Sequence, residues 1–287
     1  MDGSDLRIFQ AVARTRSITK AANQLGYVQS NVTARIQQLE SELGTILFHR
    51  HNRGMVITSS GKQLLSYADQ IVGLLDEATK LFNSPDKPSG SLTIGTTQTA
   101  GAVRLPQLLT SYYEKYPNVM FSIKTGDSHI LMEKLLNYEI DGAFIASPLN
   151  HPELNSVASF DEELVIISAR TITNLEEAVK RPVLALGTTC SYRDVLEKWL
   201  QSRGLTGSTV MEFGTLEAII GSVKAGLGIS LLSRSLAHPY EAEGTIYIHE
   251  IPSPFNHLTT KFFIRKASFK SSALNAFIQM LPTVYSS

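Results

Sequence analysis

The sequence predicts a multi-domain α/β chain with a small helical head, a long connecting helix and a two-lobed α/β body, and three patterns predict it. Residues 17–44 hold two helical runs separated by a tight glycine turn. Residues 58–82 keep apolar side chains at a sustained 3.5-residue spacing. From residue 91 onward, strand-like and helix-like runs alternate to the end. At 287 residues the chain has room for two or three domains, each with its own core.

The head comes first. Ser17-Ile18-Thr19-Lys20-Ala21-Ala22-Asn23-Gln24-Leu25-Gly26 reads as a short helix closed by glycine, and a second helix follows from about Val28 to Leu43 and Gly44. Val28, Val32, Ile36, Leu39 and Leu43 recur at spacings of 4, 4, 3 and 4, one apolar face of that helix. At about 100° per residue, Ser30, Thr33, Ala34 and Gln37 point the other way, with Gln29, Asn31 and Arg35 on the flanks. This outward face is small, polar and almost free of acids in its first two turns. It suits a DNA major groove, where amides and hydroxyls meet base edges and nearby cations meet phosphate. The alternative is a helical hairpin whose polar face is merely solvated.

Leu47–Thr58 reads as strand, basic tip, strand, a small wing in which Arg50 and Arg53 sit beside His49 and His51. A cationic tip next to a groove-sized helix fits a phosphate or minor-groove contact. Residues 1–62 carry eight Lys/Arg against four Asp/Glu, a net +4, and residues 63–287 carry 18 against 22, a net −4. The neutral whole conceals a basic head, which points to a nucleic-acid partner.

From Thr58 to Phe82 the pattern is helical and free of proline. Leu64, Ala68, Ile71, Leu75, Ala78 and Phe82 form a seam that asks for a partner helix. Either it packs on its own chain, or it pairs with a twin and sets two heads at a fixed spacing over a dyad-symmetric operator. Asn83–Gly90, rich in Pro, Ser and Gly, then ends the helix as a hinge.

In the body, strands are expected at Ser91–Thr96, Val119–Lys124, Gly142–Ala146, Leu164–Ser168, Val183–Leu186, Thr209–Phe213, Ile229–Leu232, 246–251 and 258–265. Helices are expected at Val103–Lys115, Ile130–Tyr138, 174–180, 192–202, 215–225 and 271–281. The alternation predicts a largely parallel sheet in two lobes, 91–162 with 267–287 and 163–266, crossing near 161–163 and 265–268. Ligands of such sheets sit at strand carboxyl ends. Those ends carry Thr96-Thr97-Gln98-Thr99, Asp127-Ser128-His129, Ser147, Thr188-Thr189-Cys190-Ser191 and Gly214-Thr215. Hydroxyls and open amides at several helix starts form a cradle for a small anion; taken singly, each hydroxyl would cap its own helix.

Residues 1–61 resemble the winged helix-turn-helix of LysR-type transcriptional regulators. The resemblance is carried by Phe9, Ser17-Ile18-Thr19-Lys20-Ala21-Ala22, Leu25, Gln29, Val32-Thr33, Ile36, Leu39-Glu40, Leu43-Gly44, Leu47-Phe48, Arg50, Arg53, Thr58 and Gly61. The family usually opens its recognition helix with Ser-Gln-Pro-Ala, where this chain has Val28-Gln29-Ser30-Asn31, so the side-chain cap and the preset proline φ are missing. Further on, Gly126, Asp141, Glu163-Leu164-Val165, Glu217-Ala218-Ile219 and Val223–Ile229 resemble that family's effector domain, itself similar to periplasmic solute-binding proteins. The resemblance implies a head over 1–61, a dimerising linker helix and hinge over 62–90, and an effector domain over 91–287. It implies a homodimer that pairs into a tetramer on double-stranded DNA and responds to a small effector, here expected to be anionic. The candidate DNA-contacting residues are Thr19, Lys20, Gln29, Ser30, Asn31, Thr33, Arg35, Arg50 and Arg53. Thr97, Gln98, Ser128, Thr189 and Thr215 would line the effector pocket, with Thr99 and Cys190 beside them.

Other classes fit less well. Cys190, ahead of a helix whose field would favour a thiolate, is the best nucleophile for an enzyme or redox sensor; the alternative is a pocket wall. The pair His49 and His51 is better explained as wing surface than as a metal site, and Gly226-Leu227-Gly228 lacks the third glycine of a dinucleotide loop. No catalytic residue, metal or cofactor is expected. A plain solute-binding protein would leave the basic head unexplained. One cysteine fits a reducing compartment, no apolar run approaches about 18 residues, and Met1-Asp2-Gly3-Ser4 leads into a polar-apolar helix rather than a signal peptide. A cytoplasmic protein with no membrane partner is expected.

Overall fold

The computed structural model describes residues 1–51, 54–82, 88–146, 151–187, 190–205, 207–266 and 270–281, without the side chains of Glu77, Lys80, Leu81, Phe82 and Arg104. The chain divides into two compact units, Met1–Ser84 with Leu136–Glu139, and Pro85–Leu135 with Ile140–Ser287. No helix among the described residues is long and apolar enough to cross a membrane.

The first unit holds α1 (Gly3–Thr15), α2 (Ile18–Leu25), α3 (Gln29–Leu43), β1 (Phe48–His51), β2 (Gly54–Ile57) and α4 (Ser59–Phe82). A reciprocal capping box starts α1: the Asp2 carboxylate accepts the Ser4 and Asp5 amides at 2.8 and 2.9 Å, and the Asp5 carboxylate accepts the Asp2 amide at 2.9 Å. Phe9 of α1 is fully buried and meets the Phe48 ring of β1 at 5.3 Å, with Val32, Ile36 and Leu39 of α3 closing the core. The expected apolar face of α3 is shorter than its periodicity. Val28 and Leu43 are 68% and 39% exposed, because the core covers only the middle turns.

The wing is fastened from both sides. Glu40 of α3 accepts the Leu47 and Phe48 amides at 2.8 and 3.1 Å. On β2, the Met55 amide donates to the Arg16 carbonyl at 2.9 Å, and a Cβ on Gly54 (φ 127°) would lie 2.6 Å from that oxygen. Only glycine fits so close an approach at positive φ.

The seam of α4 is divided. Ala68, with its neighbour Val72, packs into the head's own core, while Ile71 and Leu75 are 40% and 43% exposed beside Tyr67 and Leu74. One face of this helix thus packs on its own chain, as one of the two expectations had it, and another is left apolar and open.

The second unit contains β3 (Gly90–Thr96), α5 (Gln98–Lys115), β4 (Val119–Thr125), α6 (Ser128–Leu136), β5 (Gly142–Ala146), β6 (Leu154–Ala169), α7 (Leu175–Ala178), β7 (Val183–Ala185), α8 (Ser191–Ser202) and β8 (Val210–Glu212). After these come α9 (Leu216–Lys224), β9 (Ser230–Ser233), α10 (Arg234–Ala242), β10 (Ile246–His249), β11 (His257–Arg265) and α11 (Ser272–Gln279). The main sheet has the order β10-β6-β11-β5-β3-β4, with β9 also on β6.

Here the expected parallel sheet needs correction. β3 runs parallel to β4 and β5, and β7 to β8, but β6 pairs antiparallel with β9, β10 and β11, and β11 antiparallel with β5. The cause is that β6 is one long strand serving both lobes. Its first part pairs with β11 and its last residues with β9 and β10. The expected return crossing at 265–268 is also displaced. Thr260–Phe263 of β11 already pair with β5, so the chain is back in the first lobe well before residue 265. The helix α10 lies outside the expected helices; Pro239 stands inside it and withholds one N–H from its internal bonds. Buried Phe144, Phe262, Phe277 and Tyr112 form an aromatic core in one lobe, and Trp199 with Leu164–Ile167 fills the other.

Candidate nucleic-acid interface and effector cavity

Ser17 caps α2 by accepting the Lys20 amide at 3.3 Å, and Gly26 (φ 72°) ends it in the left-handed conformation. That turn brings the two helices together: the Thr19 hydroxyl donates to the side-chain oxygen of Gln29 at 3.2 Å. Since the amide oxygen of Gln29 accepts this bond, its amino group is the end left to donate outward. Gln29, Ser30 and Asn31 are exposed on the first turn of α3, with Thr19 and Lys20 exposed beside them. Val28 gives α3 no side-chain cap, as its sequence implied. Thr33 is half-buried, and its hydroxyl donates to the Gln29 carbonyl at 2.9 Å.

Arg35 stands apart from this group. Its guanidinium donates to the buried Asp5 at 2.7 Å and lies 3.6 Å from Asp2, so it ties α3 to the start of α1. Arg50, His49 and His51 are exposed on β1. The expected contact at Arg53 lies outside the described residues.

In the second unit, a cavity of about 410 Å³ opens between strand ends of the two lobes. Thr97, Gln98 and Thr99 enter it from the β3–α5 junction, Asp127 and Ser128 from β4–α6, and Cys190, Ser191 and Tyr192 from the start of α8. Glu212, Phe213 and Gly214 close it after β8. Two hydrogen bonds span the lobes: Gln98 Nε2 donates to the Gly214 carbonyl at 3.1 Å, and the Ser191 hydroxyl donates to the Ala146 carbonyl.

Of the expected lining residues, Thr97, Gln98, Thr99, Ser128 and Cys190 are brought together here, although Thr97 also caps α5 at 3.3 Å from the Ala100 amide. Thr215 is not. It is exposed and caps α9, accepting the Ala218 amide at 3.2 Å, which is the modest role open to any hydroxyl at a helix start. Thr189 lies outside the described residues. Cys190 is not poised as a thiolate: burial pushes its pKa up and nearby Asp127 adds to this, against the opposing pull of the Tyr192 and Arg193 amides. A second, apolar void behind Cys190 and Tyr192 measures only about 20 Å³.

Four residues outside the expected site set also matter. Asp127 and Glu212 supply carboxylates to the cavity wall. Tyr192 lines the cavity and donates its hydroxyl to Glu162, a residue 3% exposed on β6 that also accepts from Thr260 at 2.7 Å. Burial first, and the charge of Glu162 second, push the Tyr192 phenol well above its usual range, so it remains a donor. Asp127 stood beside Ser128 at a strand end and was open to notice. Nothing local marks Glu162, because the groups packed on it, Thr260 of β11 and Tyr192 of α8, come from segments distant in sequence.

Comparison with known proteins agrees with this two-part organisation. Residues 4–62 match the model described as bacterial regulatory helix-turn-helix protein, lysR family, and residues 85–285 match the LysR substrate binding domain. The chain is 57% identical over 284 residues to an uncharacterized HTH-type transcriptional regulator, YusT, of Bacillus subtilis, covering 99% of this chain and 96% of the relative. It is 45% identical over 281 residues to the HTH-type transcriptional regulator SoxR of an Arthrobacter species, covering 98% and 96%. Its fold is similar to that of a full-length OxyR variant from Pseudomonas aeruginosa (TM-score 0.76, 22% identity, 98% and 94% covered). It is likewise similar to full-length CbnR complexed with its target DNA (TM-score 0.70, 21% identity, 98% and 99% covered). With an exposed polar helix on a basic head and a two-lobed body enclosing a cavity, the chain belongs to the LysR family: it is a DNA-binding transcriptional regulator with a carboxy-terminal effector-binding domain, and not an enzyme.

Proposed function

We propose that the chain acts in the cytoplasm as a homodimer, pairing into a tetramer, that reads a dyad-symmetric operator and is switched by a small molecule held between the lobes of its body. The head is residues 1–61, the linker helix and hinge 62–90, and the effector domain 91–287. The exposed Tyr67, Ile71, Leu74 and Leu75 on α4 support the dimer, since an apolar stripe of this kind is expected to be covered. Gln29, Ser30, Asn31 and Thr33 meet base edges, Thr19 and Lys20 support that face, and Arg50 with Arg53 meets phosphate.

The observation that carries the reading is the cavity, spanned by the Gln98–Gly214 and Ser191–Ala146 bonds. A ligand that replaces or tightens these bonds favours one lobe arrangement over another. Only such unequal affinity can transmit a signal. Thr97, Gln98, Thr99, Ser128, Thr189 and Cys190 form the effector site, with hydroxyls and helix-start amides holding an anionic group of the effector.

The test compares DNA footprint and operator affinity with and without a small-metabolite extract, in the unaltered chain and in Ser128→Trp, which fills the cavity. An extract-dependent footprint that Ser128→Trp loses is expected. An unchanged footprint in the unaltered chain, or an equal response in Ser128→Trp, would remove the cavity from the switch.

A further inference from the structure

We infer that the effector is a small zwitterion of the amino-acid type, whose ammonium group is recognised by Asp127 and Glu212. The inference rests on the cavity being the effector site and concerns the charge that this cavity accepts. Asp127 and Glu212 are its only charged lining residues among those described, and both are acids.

One base lies close by. Arg193 donates to Glu197 at 2.7 Å and to Glu212 at 3.4 Å, so a single guanidinium is shared between two carboxylates. No salt bridge to Asp127 is found among the described residues, and Asp127 stands near enough to Cys190 to raise the pKa of that thiol across the cleft. Arg193 acts on the same thiol in the opposite sense and partly balances Glu212, so the negative character of the wall is concentrated at Asp127.

A plain anion placed there would meet the like charge of Asp127, and the one base described nearby, Arg193, is already engaged by Glu197 and Glu212. A ligand that also carries an ammonium group meets opposite charge on the Asp127 side. Its carboxylate can still be held by uncharged donors, the Thr97, Thr99 and Ser128 hydroxyls. A cavity of about 410 Å³ has room for such a molecule. The anionic effector expected from sequence is thereby revised: one end is anionic, and the other is cationic.

The experiment uses the full-length chain and a matched panel, the common α-amino acids against the same molecules without the amine (acetate for glycine, propionate for alanine and so on). Binding is read by thermal shift and calorimetry. At least one amino acid is expected to bind, with its deaminated partner about 10-fold or more weaker. Asp127→Asn, which keeps the shape and helix-start preference of Asp, should weaken the amino acid about 10- to 100-fold and leave the deaminated acid unchanged or tighter. Glu212→Gln should act the same way to a smaller extent, because Arg193 already shares that charge. A purely structural role for Asp127 would weaken both members of a pair alike. Deaminated acids that bind as well as the amino acids overturn the inference and leave the cavity as effector site. Failure of the whole panel also overturns it. In that case an extract-dependent footprint lost in Ser128→Trp would show the cavity reading still standing, and its absence would show both have failed.

Discussion

The Tyr192 hydroxyl donates to the Glu162 carboxylate where β6 passes from one lobe to the other. One partner lines the cavity and the other is buried in a strand shared by both lobes, so the pair joins the cavity wall to lobe geometry. Tyr192→Phe leaves Glu162 with Thr260 but without its phenolic donor. It should destabilise the protein by about 1–3 kcal/mol in urea titration, the cost of one lost bond to a buried charge. The effector-dependent change in footprint should shrink as well. A variant of unaltered stability would mean that water or another donor serves Glu162.

Alkaline stability follows from two buried phenols. Burial pushes Tyr112, whose hydroxyl donates to the Ala273 carbonyl at 2.8 Å, up to about 12, and Tyr192 is raised as well. Above pH ~10 the unfolded chain loses these protons while the folded chain keeps them. Their contribution is therefore complete below pH ~10 and is lost as pH climbs toward about 12. Urea midpoints should fall steeply over that window, and Tyr112→Phe should flatten the slope while lowering stability at neutral pH. A midpoint independent of pH up to about 11 would contradict the assignment.

Contacts on the DNA-binding face should separate into two kinds. Gln29→Ala should reduce discrimination between operator and random duplex by about 1–3 kcal/mol, the range of a base-edge contact, and Thr33→Ala by less, since its hydroxyl is partly engaged with the Gln29 carbonyl. Arg50→Ala and Arg53→Ala should weaken both duplexes alike and reduce the salt slope by roughly one each. Mobility-shift titrations at several salt concentrations decide this; identical profiles for Gln29→Ala and Arg50→Ala would refute the sorting.

Arg35 is expected to behave otherwise. Because its guanidinium is held by Asp5 and Asp2, Arg35→Ala should lower the melting temperature and leave the salt slope of DNA binding unchanged. A slope reduced to the same extent as in Arg50→Ala would return Arg35 to the phosphate-contacting group.

The exposed stripe on α4 gives a test of association. Ile71→Glu and Leu75→Glu replace exposed apolar side chains and disturb little of the head's own core. Each should weaken dimerisation by about 100-fold or more, because a charge would have to be buried without a partner. Sedimentation of the variants should show monomers at concentrations where the unaltered chain is paired. Unchanged sedimentation would locate the dimer contact elsewhere.

Local chemistry made much of this protein legible without coordinates. Ser17 and Gly26 bracket α2 because a hydroxyl satisfies the first amides and glycine alone turns left-handed at no cost. The basic head and the polar face from Gln29 to Asn31 were equally plain, since exposure of a helix face follows from its spacing. Other features depended on residues distant in sequence. Arg35 is among the DNA contacts expected from sequence, yet Asp5, thirty residues away, holds its guanidinium. The periodicity of Val28 and Leu43 promised burial, but the head's core does not reach them. Glu162 gave no sign of being enclosed, and alternation alone could not show that β6 and β11 run antiparallel to each other. Caps, turns and amphipathic faces are settled within a few residues by local sterics and hydrogen bonding. Which charge is paired, which carboxylate is buried and what sign a cavity wall carries are settled by strand pairing, which brings together segments that the sequence keeps about a hundred residues apart.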